Sequence, residues 1–202
     1  MSFGFKEEQR ESNGEVWDRL KFNAKTGVYT STIFNKEEGQ KESNEVNPNF
    51  KCYVDFAKTL KVGWADFSLE TPSVATTGYG ESVLDRPTPE HKEYVSFNLY
   101  NKELGMVNFG SSSKAVLIEL GGLHDSYLSL EKEKGDLIPV VHFDGTKEIK
   151  FGKANKIQVP NVSIVDWRER PPTMLGQVEQ VEEKKPEPVK APEPDFDDDL
   201  DF

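Results

Sequence analysis

The sequence predicts a mainly β domain, an antiparallel barrel with one short helical insertion, followed by an acidic C-terminal tail that cannot fold. Three observations carry this expectation. Apolar and polar residues alternate with period two in several short segments, the pattern of half-buried strands. Clusters of Gly, Pro, Asn, Ser and Thr separate those segments, as turns and loops require. Only one stretch, around residues 111–135, carries helix start and stop signals.

The elements follow in chain order. Residues 1–15 are polar apart from Met1, Phe3, Phe5 and Gly4, and are expected to form a flexible arm. Leu20, Phe22 and Ala24 then alternate with Arg19, Lys21 and Asn23, a strand closed by a turn at Lys25-Thr26-Gly27. Residues 28–34 are β-branched and aromatic enough for a second strand, whereas the polar residues 35–49 suggest a long loop. Residues 50–56 are the clearest strand: Phe50, Cys52, Val54 and Phe56 share one face, and Lys51, Tyr53 and Asp55 the other. A further extended piece spans 60–69, and the Thr-, Ser-, Gly- and Pro-rich residues 70–90 suggest a second long loop. In 91–100, Val95, Phe97 and Leu99 alternate with Tyr94, Ser96, Asn98 and Tyr100. Ser111–Ser113 and Lys114 offer an N-cap for a helix over 115–120, stopped by Gly121-Gly122, with another turn or two from Tyr127 to Gly135. A hairpin over 137–151 is expected to turn at Asp144-Gly145, and 157–167 forms a last strand pair broken at Pro160-Asn161. Seven or so strands with one helix after the middle ones make an oligonucleotide-binding (OB) barrel the economical expectation, with a β-sandwich as the alternative.

Composition narrows the chemistry. The net charge is −11, but residues 176–202 hold ten acids and three lysines, leaving 26 acids and 22 bases for 1–175. The low isoelectric point therefore belongs mainly to the tail and leaves room for a basic groove on the domain. Cys52 is the sole cysteine, so no intramolecular disulfide scaffold exists, and its apolar-alternating setting suggests an inert buried thiol. The absence of a signal-peptide pattern and of a run of about 20 apolar residues predicts a soluble, cytoplasmic protein. Phosphate-loop, zincin and nucleophile-elbow motifs are missing, and His91, His124 and His142 are far apart. Neither an enzyme, a metal site nor a cofactor is expected.

What remains is a surface that stacks and attracts. Single strands are held by aromatic rings under the bases and by Lys or Arg along the phosphates. The faces opposite the apolar ones supply both: Trp17, Arg19 and Lys21 on the first strand, Lys51 and Tyr53 on the clearest one, and Lys92, Tyr94 and Tyr100 on 91–100. Trp64 and Arg86 join them as candidates from the extended piece and the loop, while Phe67 suits either core or platform. An outward Tyr on an antiparallel strand also serves as a cross-strand packing partner.

The tail gives the sharpest signal. Six of the twelve prolines fall within residues 171–194, making that stretch an extended, semi-stiff linker between the domain at 16–170 and a tip at 195–202. The tip contains Asp195, Phe196, Asp197, Asp198, Asp199, Leu200, Asp201 and Phe202. A purely solubilising tail has no reason to place three apolar groups among five carboxylates or to finish on Phe. This segment resembles the tip of single-stranded-DNA-binding proteins of bacteria and their phages, and the phage type more closely, since it ends in acids and a bare Phe without a proline before it. The resemblance implies an OB-fold domain that coats single-stranded DNA without sequence preference in replication, recombination and repair. It further implies a tip that recruits polymerase, helicase or exonuclease, competition between tip and DNA for the groove, and residence in the host-cell cytoplasm if phage-encoded. Self-association stays open. The alternative reading is a non-enzymatic β-sandwich binding module for carbohydrate or virion assembly.

Overall fold

The computed structural model describes residues 18–35, 40–69, 71–151 and 155–175. The expected arm at 1–15, Trp17, the linker beyond 175 and the tip at 195–202 lie outside them. Ten strands form: β1 (Asp18–Asn23), β2 (Val28–Asn35), β3 (Gln40–Val46), β4 (Asn49–Val54), β5 (Lys61–Asp66), β6 (Ser73–Gly78), β7 (Lys92–Asn101), β8 (Gly105–Ser111), β9 (Ile138–Phe151) and β10 (Asn155–Arg168). Two helices, α1 (Phe56–Thr59) and α2 (Lys114–Lys134), and a terminal 3₁₀ turn (Pro172–Leu175) complete the described chain. The mainly β expectation holds.

All the strands belong to one sheet in the order β10-β9-β4-β7-β8-β1-β2-β3, and β5 pairs with β7 and with β6. β7 is the hub. Its first half pairs with β5 (Val95 opposite Val62), its last residues with β4 (Tyr100 opposite Tyr53), and its other edge with β8. Every ladder is antiparallel except β1–β8, which is parallel, so the sheet is mixed. It is not closed by a ladder into a barrel. Among the described residues one backbone bond spans the gap: Gln158 N–H donates to the Ala24 carbonyl at 2.9 Å, tying β10 to the β1–β2 turn.

The concave side holds the core. Leu20, Cys52, Val54, Phe97, Leu99, Val107, Phe109, Val141, Phe143 and Val159 project there from six strands and are all buried. Phe50 and Phe143 stack at 4.7 Å, with Tyr29 and Phe109 edge-on to Phe143. Rings at 4.5–7 Å in offset or edge geometry add to burial alone. Burial pushes the Cys52 thiol and the Tyr29 hydroxyl well above their usual ranges, which makes Cys52 the inert thiol its setting suggests. α2 closes the core over β10, burying Ala115, Val116, Leu120, Leu123 and Tyr127.

The structure corrects several local expectations. Gly121-Gly122 does not stop the helix: α2 runs through both to Gly135, whose φ of +58° ends it. Two glycines cost about 2 kcal/mol of helix propensity, less than the burial of the Leu123 and Tyr127 turns beyond them supplies. The insertion is thus long rather than short. Asp144-Gly145 is not a hairpin turn, because β9 passes straight through it to pair with β10 over its whole length. Gly145, at φ +72°, forms the kink where β9 leaves β4, and its N–H donates to the Pro48 carbonyl. Pro160-Asn161 likewise marks a register shift within one strand rather than a break. Phe56 leaves its strand to begin α1, capped by the Asp55 carboxylate on the Lys58 N–H. Both expected loops contain strands, β3 and β6, and β8 was not anticipated.

Candidate nucleic-acid interface

The convex side of the same sheet carries the candidate site. Alternation on β7 sends Lys92, Tyr94, Asn98 and Tyr100 outward, because Val95, Phe97 and Leu99 face the core. Alternation on β4 sends Lys51 and Tyr53 the same way. The β4–β7 ladder sets Tyr53 directly opposite Tyr100, and their rings lie 6.3 Å apart at 37°. Both are partly exposed, so each offers ring surface to a ligand.

Around this pair the register assembles polar and cationic groups. Met106 stands opposite Tyr100, and Asn108 opposite Asn98, with the Asn108 amide donating to Asn98 Oδ1 at 2.9 Å. Arg19 on β1 is level with Asn108. Lys21 is the next outward residue on β1, and both cations are exposed. Lys51 faces His142 across the β4–β9 ladder, and the His142 ring bonds Asn49 Oδ1 at 3.0 Å. Arg168 on β10 lies within electrostatic reach of Tyr53 and is fixed by a 2.7 Å ion pair with Asp166, whose hydrogen bond is the main cause of its raised affinity for protons.

Tyr94 and Lys92 occupy the far end of this face, about 20 Å along β7 from Tyr100 at strand rise. Tyr94 lies across Gly110, where any Cβ would strike its ring. Gly110 is therefore required for Tyr94 to lie flat on the sheet. Phe67, 49% exposed, meets the Tyr94 ring edge-on at 5.5 Å.

Trp64 and Arg86 are elsewhere. Trp64 shares the side of Val62, its Nε1–H donates to the Leu84 carbonyl at 2.7 Å, and the Arg86 guanidinium sits 5.6 Å over its ring. Arg86 also donates to the carbonyls of His91 (2.8 Å) and Pro89. This clasp holds the loop between β6 and β7 and leaves the Arg86 fork occupied by backbone. The structure thus brings together Arg19, Lys21, Lys51, Tyr53, Lys92, Tyr94 and Tyr100, and sets Trp64 with Arg86 apart from them; Trp17 is outside the described residues.

Asn98, Met106, Asn108 and Arg168 join the face without having been singled out, and Phe67, which suited either core or platform, lies on it. Val107 and Phe109, alternating with Met106 and Asn108, carried a strand signal that would have found two of them.

The histidines do not converge. His91 is buried between Thr88 and Ser73, and His124 is packed among Phe56, Tyr79 and Tyr127, while His142 stands on the convex face. Among the described residues no helix is long and apolar enough to cross a membrane. No family model matches this chain, and neither curated proteins nor solved structures yield a match.

Proposed function

We propose that the protein binds single-stranded DNA without sequence preference, coating and protecting it in the cytoplasm during replication, recombination and repair. The observation that carries the reading is the convex face on which Tyr53 and Tyr100 pair at 6.3 Å among Lys51, Arg19 and Lys21. Stacking on such rings is worth about 1–3 kcal/mol per base and is indifferent to base identity. The strand order supports the reading: β4, β7 and β8 lie side by side in that order, α2 follows, and β9 returns beside β4 with β10 on its outer edge. OB barrels bind oligonucleotides on the face of their second and third strands, and the reading takes β7 and β8 as the counterparts of those strands. Asp195–Phe202 then serves as the docking tip for a polymerase, helicase or exonuclease. Its acids set encounter and orientation while Phe202 supplies the buried anchor.

Oligo-dT titration at two salt concentrations tests this, with the full chain and with a chain ending at residue 176. If Arg19, Lys21, Lys51 and Lys92 each meet a phosphate, log K should fall against log salt with a slope of about −3. The shortened chain should bind more tightly, because the polyanionic tip no longer occupies the face. Salt-insensitive binding, or binding of sugars in place of oligo-dT, would reject the reading in favour of a carbohydrate-binding module.

A further inference from the structure

The convex face does not end at Tyr94. It continues onto β5 and β6, where Ala65 lies opposite both Lys92 and Val74. There a depression of about 450 Å³ opens between the end of β5 and the start of β7, walled by Phe67, Ser68, Glu90, Lys92 and Ser112. Its geometry is fixed by Asp66, only 7% exposed, which accepts from the Ser68 N–H at 2.9 Å and the Ser68 hydroxyl at 2.6 Å. That turn holds Phe67 out of the core and edge-on to Tyr94.

The charges in the depression differ from those beside Tyr53. Asp66 and Glu90 both contribute carboxylates. The Ser68 bonds hold Asp66 below the usual carboxylate range, and a bond from the Thr88 hydroxyl does the same for Glu90, so both stay ionised at neutral pH. A phosphate is repelled there, while Lys92 at the margin can take one. An aromatic wall with an anionic acceptor beside it suits a flat ring whose edge donates hydrogen bonds. On their major-groove edge cytosine and adenine present an exocyclic amine, and carboxylates pair with the cytosine amine; thymine and guanine present a carbonyl there instead.

We propose that this depression receives an unstacked, amine-bearing base, cytosine or adenine, against Phe67 with its amine on Glu90. The proposal rests on the single-stranded-DNA reading above and adds to it a modest base bias at one station of an otherwise indifferent face. The station lies at the opposite end of β7 from the Tyr53–Tyr100 pair, so the two can be separated by mutation.

Length-matched oligo-dC and oligo-dT are titrated against the full chain at mildly alkaline pH, where cytosine-rich strands remain single. The expected result is dC binding tighter than dT by about three- to tenfold. Glu90→Gln should bring the dC affinity down towards the dT value, and Phe67→Ala should reduce the same ratio. Tyr53→Ala should weaken both oligonucleotides together and leave the ratio in place. Equal, salt-sensitive binding of dC and dT overturns this proposal and leaves the function standing, as does a ratio that survives Glu90→Gln. Failure of both oligonucleotides to bind overturns the two together.

Discussion

Both faces of β7 carry aromatic residues, and they use them for opposite ends. Phe97 and Leu99 face the core at 1% and 0% exposure, locked against Phe56 and Phe109. Tyr94 and Tyr100 face outward, one lying over Gly110 and the other beside Tyr53. The hydroxyl is the difference. Inside, it would need a buried partner; outside, it keeps a large ring compatible with water while leaving it free to stack. The face of a strand on which an aromatic lies therefore predicts whether its loss is felt in folding or in binding. Phe97→Ala should give the largest effect, destabilising the domain by about 3–5 kcal/mol in denaturant unfolding. Oligo-dT affinity at low denaturant should stay near the parent value wherever the variant remains folded. A Phe97 variant with full stability would break the comparison at its root.

Tyr100→Ala tests the other side and should show the inverse pattern. Loss of one stacking ring costs about 1–3 kcal/mol in binding to oligo-dT. Stability should change by no more than about 1 kcal/mol, the worth of one cross-strand pair with Tyr53. Fluorescence or anisotropy titration beside a urea melt of the same sample reads both quantities. If the melt shifts strongly and the affinity does not, the outward tyrosines are packing partners only and the proposed face loses its centre.

The contrast between faces also explains what was legible in the sequence. Strands with one wet and one dry side, β4 and β7, announce themselves by alternation, and their outward Lys51, Tyr53, Tyr94 and Tyr100 could be named from parity alone. β3 could not, because Gln40–Val46 is solvent-exposed over almost its whole length and has no apolar side to alternate. It is held by its hairpin ladder to β2, and that backbone pairing leaves no alternation in its own side chains. β6 was hidden in the same way among Ser, Thr and Gly. Glycine misled twice. Tertiary burial carries α2 through Gly121-Gly122, and β9 uses Gly145 to bend rather than to reverse. Trp64 and Arg86 have the composition of a binding pair, but only the path of the loop between β6 and β7 shows that they clasp each other. Register determined the site as a whole: β1, β4 and the β7–β8 hairpin, distant from one another in sequence, had to be aligned before Tyr53, Tyr100, Asn108 and Arg19 became neighbours.

A smaller effect sharpens the comparison by introducing charge on the dry side. His124 on α2 packs between Phe56, Tyr79 and Tyr127, stacked on the last at 5.8 Å, and its Nε2 has no hydrogen-bond partner. Burial lowers its proton affinity, and the opposing pull of Asp125 and Glu131 only partly offsets that. Glu131 is engaged by the hydroxyls of both Tyr79 and Tyr127. The imidazole is thus neutral in the folded chain at a pH where the unfolded chain already takes up a proton. A folded value below the unfolded one makes stability complete above the unfolded pKa of 6.5 and progressively lost as pH falls below it. The urea midpoint should drop between about pH 7 and pH 5, and His124→Phe, which keeps a ring against Tyr127, should flatten that drop. The Tyr53–Tyr100 pair on the convex face does not include this imidazole, so oligo-dT affinity should hold over the same interval while stability falls. Parallel loss of both in the parent, unchanged in His124→Phe, would show that the two faces do not answer to charge independently.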